Sequence, residues 1–225
     1  MIKCITFDLD DTLWAIEPVI AEAEKKFYSW LKKNYPIVTE NFDILSLRQL
    51  MRKTASDNPD IKHNLTEVRI KGYTYIKDLY KLPDDMPLRS YEYFMKYRNK
   101  VTLYDGAEIT LTELKKKYMI GTITNGNASL EKIGIKKFFD FEVKAADVGF
   151  MKPSPKIFGA ALKRANCKPS EMVHIGDSYD KDIIGAKSVN MNYIWLNHKK
   201  SEYLDIEKNN IISSISEVPK LLYDW

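Results

Sequence analysis

The 225-residue sequence predicts an α/β protein, a parallel sheet flanked by helices with a long helical segment inserted into it. Three observations predict this. Short apolar runs bounded by acids, Gly or Asn alternate with stretches of three-to-four periodicity. Nine Gly and nine Pro make about 8% of the chain against the usual ~12%, which favours helix over an all-β design. From about 15 to 99 only the helical period is present, between one apolar run and the next.

The elements follow in order. Residues 3–8 (KCITFD) form a short apolar run ending in acid, as a buried central strand does. Pro18 suits the first turn of a helix, and Ile20, Ala23, Phe27, Trp30 and Leu31 repeat at helical spacing. Further amphipathic stretches cover roughly 43–55, 64–81 and 89–99. A helix over about 107–117 leads into the apolar run Tyr118–Thr124, which stops at Asn125-Gly126. Strands at 141–144, 172–176 and 193–196 alternate with helices at about 155–165 and 181–189. The expected organisation is therefore a core of residues 1–14 and 100–225, with 15–99 as a helical insertion.

Composition excludes several classes. A hydrophobic fraction of 44% suits a globular core. The net charge of +4 is spread thinly, without the clustered basic face that nucleic acid requires, so no nucleic-acid partner is expected. No run reaches the ~18 apolar residues of a membrane span, and Asp8, Asp10 and Asp11 interrupt any signal-peptide core. Two cysteines, Cys4 and Cys167, are too few for a disulfide framework, so a reducing, cytoplasmic setting is expected.

In open parallel sheets ligands bind beyond the carboxyl ends of the strands. There the sequence has Asp8-Leu9-Asp10-Asp11-Thr12, then Thr124-Asn125-Gly126, then Gly176-Asp177-Ser178, with Lys152-Pro153 in a loop. Converging acids, a hydroxyl and a lysine are the equipment of phosphoryl transfer through a covalent intermediate. A carboxylate can attack phosphorus, and a divalent cation and a lysine offset the repulsion between two anions. Hard, oxygen-liking Mg²⁺ suits a carboxylate-only site. An acid two residues on can protonate the leaving alcohol and then activate water. Asp8 and Asp10 have that spacing, and Asp177 and Asp182 can complete a cation site.

Other polar residues read as structural. Asp11, Asp147 and Asp180 suit turns or helix N-caps, and Thr12 and Ser178 suit caps. His63, His174 and His198 lack metal-ligand spacing; His174 lies in an apolar strand as a structural residue, and His63 is a candidate substrate contact. Trp14, Trp30 and Tyr28 read as packing residues, while Tyr28, Trp30, Tyr73, Tyr75 and Arg69 are the groups of the insertion that could meet a ring.

DLDDT, TITNG, the Lys152-Pro153 loop and GDSYDKD together resemble, in order, the four motifs of the haloacid dehalogenase-like phosphohydrolases. The resemblance implies a Rossmann-like parallel sheet with an inserted α-helical cap domain. It implies Asp8 as nucleophile and Asp10 as general acid/base. Thr124, Asn125 and Lys152 would bind phosphate, with the backbone near Asn125 assisting. Mg²⁺ would be held by Asp8, the Asp10 carbonyl and Asp177, with Asp182 behind them. TFDLDDTLW, PDIKHNLTEVR and TITNGNASLEKIGIKKFFDF are similar to a bacterial subgroup linked to flavin metabolism, whose members hydrolyse FMN and a phosphorylated ribitylaminouracil. The implied partner is a small-molecule phosphate ester. A sugar-phosphate or phosphoglycolate phosphatase, a mutase, a haloacid dehalogenase and a non-catalytic binding protein are the alternatives. Asp10 argues against the dehalogenase, and Asp8 against the binding protein.

Overall fold

The computed structural model describes residues 1–198 and 210–223. Six strands form one parallel sheet: β1 (Cys4–Phe7), β2 (Met119–Thr124), β3 (Phe141–Lys144), β4 (Met172–Gly176), β5 (Asn192–Leu196) and β6 (Ile211–Ile212), in the order β3-β2-β1-β4-β5-β6. The central strands are apolar at successive positions because helices cover both faces. Every residue of β1 and β4 is buried. The register sets Phe7 beside Thr122 on one side and Ile175 on the other, so β1, β2 and β4 point their carboxyl ends to one edge, β2 running two residues further and β4 one.

The chain divides into two compact units. One comprises Met1–Ala15, Thr102–Gly126 and Gly134–Trp225 and holds the sheet; the other comprises Ile16–Val101 with Asn127–Ile133. The second contains α1 (Ile16–Asn34), α2 (Pro36–Asn41), α3 (Ile44–Asp57), α4 (Leu65–Tyr80) and α5 (Met86–Arg98), in addition to the short α7 named below. Val19, Ala23, Phe27 and Leu31 bury one stripe of α1. Phe27 meets Tyr73 at 5.1 Å and Phe94 edge-on at 6.3 Å. Asp43 caps α3 by accepting from the Ser46 N–H at 2.7 Å, and Asn64 caps α4 by accepting from the Glu67 N–H at 3.2 Å. The chain continues through α6 (Ala107–Leu114), α7 (Leu130–Ile133), α8 (Ala145–Val148), α9 (Pro155–Ala165), α10 (Ile184–Lys187) and α11 (Val218–Tyr223). No helix among the described residues is long and apolar enough to cross a membrane.

Differences from the expected elements have local causes. The helix expected from 89 begins at Met86, because Pro87 in the first turn needs no N–H partner. The helix expected over 181–189 is instead a π-turn at Tyr179–Ile183 followed by α10. The helix expected to 117 stops at Leu114. α2, α7, α11 and the two-residue β6 carry too few residues for a periodic signal.

Gly121 of β2 pairs with Phe141 of β3, and a Cβ built on it would come within 2.2 Å of the Phe141 ring. Gly→Ala inside a strand ordinarily stabilises by about 0.5–1 kcal/mol. Here overpacking reverses the sign, and Gly121→Ala should cost about 1–2 kcal/mol in urea unfolding. In a Phe141→Ala background the same change should become neutral or stabilising; an unaltered penalty would acquit the ring.

Candidate active site

The site is built at the carboxyl ends of β1, β2 and β4. The Asp8 N–H continues the ladder to the Ile175 carbonyl at 2.9 Å, so its side chain starts from a fixed backbone. The chain then turns sharply: the Thr12 and Leu13 N–H groups donate to the Leu9 carbonyl, and Asp11 takes a left-handed φ of 61°, which Asp tolerates. Trp14, fully buried, donates its indole N–H to Asp10 Oδ1 at 2.9 Å. The tryptophan expected only to pack thus also sets the orientation of an acid.

Lys152 reaches Asp8 from a loop distant in sequence. Its Nζ lies 2.7 Å from Asp8 Oδ1 and 2.6 Å from Asp182 Oδ1, and its side chain is 1% exposed. The Asn125 carboxamide holds the Lys152 backbone at both polar groups, accepting from its N–H at 2.7 Å and donating to its carbonyl at 3.1 Å. That side chain is engaged with Lys152. Thr124, buried at the end of β2, accepts from the Gly126 N–H at 2.9 Å.

On the other side of β1, Asp177 is fixed through its backbone: its N–H donates to Thr12 Oγ1 at 3.1 Å and its carbonyl accepts from Trp195 Nε1 at 2.8 Å. Asp182 is completely buried. Its Oδ1 receives Lys152 and His174 Nε2 at 3.0 Å, and its Oδ2 accepts from the Ser178 N–H at 3.0 Å. His174 Nδ1 meets Thr6 Oγ1 at 3.0 Å. Gly176 makes room: a Cβ there would lie 2.2 Å from Asp182 Cγ.

Carboxylate oxygens of Asp8, Asp177 and Asp182 lie within 4.8 Å of one another. Such crowding has an electrostatic cost. Burial pushes Asp8 up to about 7, the Lys152 charge opposing and the Asp182 and Asp10 charges adding. Burial also raises Asp177 to about 6, with Asp182 and Asp11 adding. Burial would raise Asp182 too, but Lys152 and the His174 hydrogen bond overcome it and hold the carboxyl below its usual range. Burial lowers His174, against the pull of Asp182. Burial alone would lower Lys152, but the charges of Asp182 and Asp8 keep it above its ordinary value.

Residues 2–190 match the haloacid dehalogenase-like hydrolases. The chain belongs to that family. Among its haloacid dehalogenase-like relatives, 5-amino-6-(5-phospho-D-ribitylamino)uracil phosphatase YigB of Escherichia coli is 27% identical over 98% of this chain and 93% of its own. A glyceraldehyde 3-phosphate phosphatase of Methanothermobacter thermautotrophicus is 30% identical over 99% of this chain and 100% of its own. A crystal structure named 2-haloacid dehalogenase, from Pseudomonas syringae, superposes with a TM-score of 0.93 at 32% identity, covering 100% of both chains.

The haloacid dehalogenase-like family match spans every residue of the buried cluster. Two of its members were not legible as site residues. Thr6 and His174 are polar residues inside apolar strands, and the register makes them direct neighbours; paired polar positions in adjacent buried strands are the signal that could have found them. In the helical unit, Tyr28 donates to the Thr39 carbonyl, Trp30 stacks on Tyr93 at 5.0 Å and Tyr73 is buried, so all three pack their own unit. Tyr75 is exposed on α4, and His63 precedes that helix.

Proposed function

We propose that the protein is a phosphatase acting on a small-molecule phosphate monoester through an aspartyl-phosphate on Asp8. The observation that carries this reading is the nearly buried Asp8 with the Lys152 ammonium at 2.7 Å and two more carboxylates within 4.8 Å. Asp8 attacks phosphorus in line with the ester oxygen. The P–O bond to the alcohol breaks, and the leaving oxygen takes a proton from Asp10, whose carboxyl Trp14 holds in place. Water then attacks the phosphorus, its proton goes to Asp10, and phosphate leaves with Asp8 restored. Lys152 and the Thr124 hydroxyl hold phosphoryl oxygens; Asn125 acts by fixing Lys152.

The donor set fits a hard divalent cation. The acids outnumber Lys152, and every available ligand atom is oxygen. Asp8, Asp177 and the Asp10 carbonyl would hold Mg²⁺. Both oxygens of Asp182 already accept hydrogen bonds, which supports its acting behind the ligands rather than as one. When bound, Mg²⁺ supplies charge neutralisation to the phosphoryl oxygens. EDTA should abolish turnover, and Asp177→Ala should raise the Mg²⁺ needed for half activity by about tenfold or more; full activity in EDTA would revive the dehalogenase chemistry.

For the substrate we favour FMN or the ribitylaminouracil phosphate of riboflavin synthesis, supported by the subgroup motifs and by YigB. The relative named for glyceraldehyde 3-phosphate favours a second reading, a short sugar phosphate. A Mg²⁺-supplemented phosphate-release panel tests the class, and kcat/KM ratios choose the substrate. A tenfold preference for a sugar phosphate or phosphoglycolate, about 1.4 kcal/mol of transition-state discrimination, would overturn the flavin assignment. The two free cysteines support a cytoplasmic setting.

A further inference from the structure

The helical unit contains a cleft of about 40 Å³ that the phosphatase reading leaves unused. Phe27, Leu47 and Met51 give it apolar walls, and Glu24, Arg48, Arg69 and Tyr73 supply its polar groups. Arg48 and Glu24 neutralise each other in a two-point ion pair. Arg69 differs. Among the described residues no carboxylate pairs with it; its guanidinium stacks 3.6 Å over the Phe94 ring, and one Nη donates to the Tyr73 hydroxyl at 3.3 Å.

This geometry specifies a ligand. Stacking fixes the guanidinium plane and spends its face, leaving edge N–H groups for an acceptor lying in that plane. The Tyr73 hydroxyl, accepting from Arg69, keeps its own proton to donate. The cleft carries one uncompensated positive charge beside apolar walls, and its space admits a group of a few heavy atoms. We infer that the Arg69–Tyr73 cleft between α1, α3 and α4 binds a small organic monocarboxylate, the carboxylate on the Arg69 edge and the Tyr73 hydroxyl and the carbon end against Phe27, Leu47 and Met51. The assignment does not depend on the phosphatase reading, because binding can be measured without turnover.

Calorimetric titration of the full-length protein with acetate, glycolate and pyruvate, against sodium chloride at equal ionic strength, tests it. Saturable binding with a millimolar Kd is expected, as suits so few atoms. Arg69→Gln should weaken it by about tenfold or more, while Arg69→Lys, which keeps the charge but not the fork, should fall between. Tyr73→Phe should weaken it independently, and thermal melts of each variant check folding. Inhibition of p-nitrophenyl phosphate hydrolysis distinguishes the carboxylate's source: competitive inhibition marks it as part of the substrate, and noncompetitive inhibition marks it as a separate metabolite. Absence of saturable binding at 100-fold excess over millimolar, or equal affinity in Arg69→Gln, would overturn the assignment.

Discussion

Asp8→Asn is expected to lower turnover on the order of 10³-fold or more while leaving the fold intact. The amide is nearly isosteric, so the Asp8 backbone bond to Ile175 and the nearby packing persist. Two properties are lost together: the attacking charge, and the anion that faces Lys152 at 2.7 Å. Lys152 keeps its contact with Asp182 at 2.6 Å, so the ammonium retains a counter-charge and unfolding should shift little. Single-turnover phosphate release, beside a urea curve, separates the two effects. Near-normal turnover in this variant would remove the covalent mechanism, whichever substrate is used.

Asp182→Ala should act the other way, on stability as strongly as on rate. It strips the shared acceptor from Lys152, His174 and the Ser178 N–H at once, in a place with no solvent to replace it. Breaking a buried ion pair from one side costs about 3–5 kcal/mol. Because Asp8 still faces Lys152, the lower part of that range is expected, a fall in Tm of roughly 6–12 °C at about 2–4 °C per kcal/mol. Lys152→Met in the same background should recover none of the loss, since it takes from Asp8 its facing cation. A Tm unchanged within 2 °C would mean that the cluster contributes nothing to folding.

Much of this site was legible because buried parallel strands advertise themselves as apolar runs, and their ends are where polar residues resume. CITF and MVHIG were readable as strands for that reason, and Asp8 and Asp177 follow directly from where they stop. Lys152 was reachable only through motif order, since a loop lysine has no periodicity to mark it. What stayed hidden depends on register and rotamer. That Thr6 lies beside His174, that Trp14 folds back on Asp10, and that Asn125 grips the Lys152 backbone are consequences of three-dimensional pairing. The aromatics of α1 and α4 looked equally suited to stacking a ligand or one another, and periodicity alone could not separate Tyr73, buried, from Tyr75, exposed.

The buried cluster also fixes the order in which the site can come into being. A ribosome makes the carboxylate at residue 8 long before its cation at 152, and Asp182, which steadies that cation, later still. A nascent chain cut off before β4 lacks His174 and Asp182, and its Lys152 has one carboxylate of the folded pair in place of two. Because β1 sits between β2 and β4, its second edge is covered only when the chain reaches Met172. Translation must therefore pass Asp182 before Asp8 has the neighbourhood seen in the folded chain, and an amino-terminal fragment that ends short of it lacks the complete cluster.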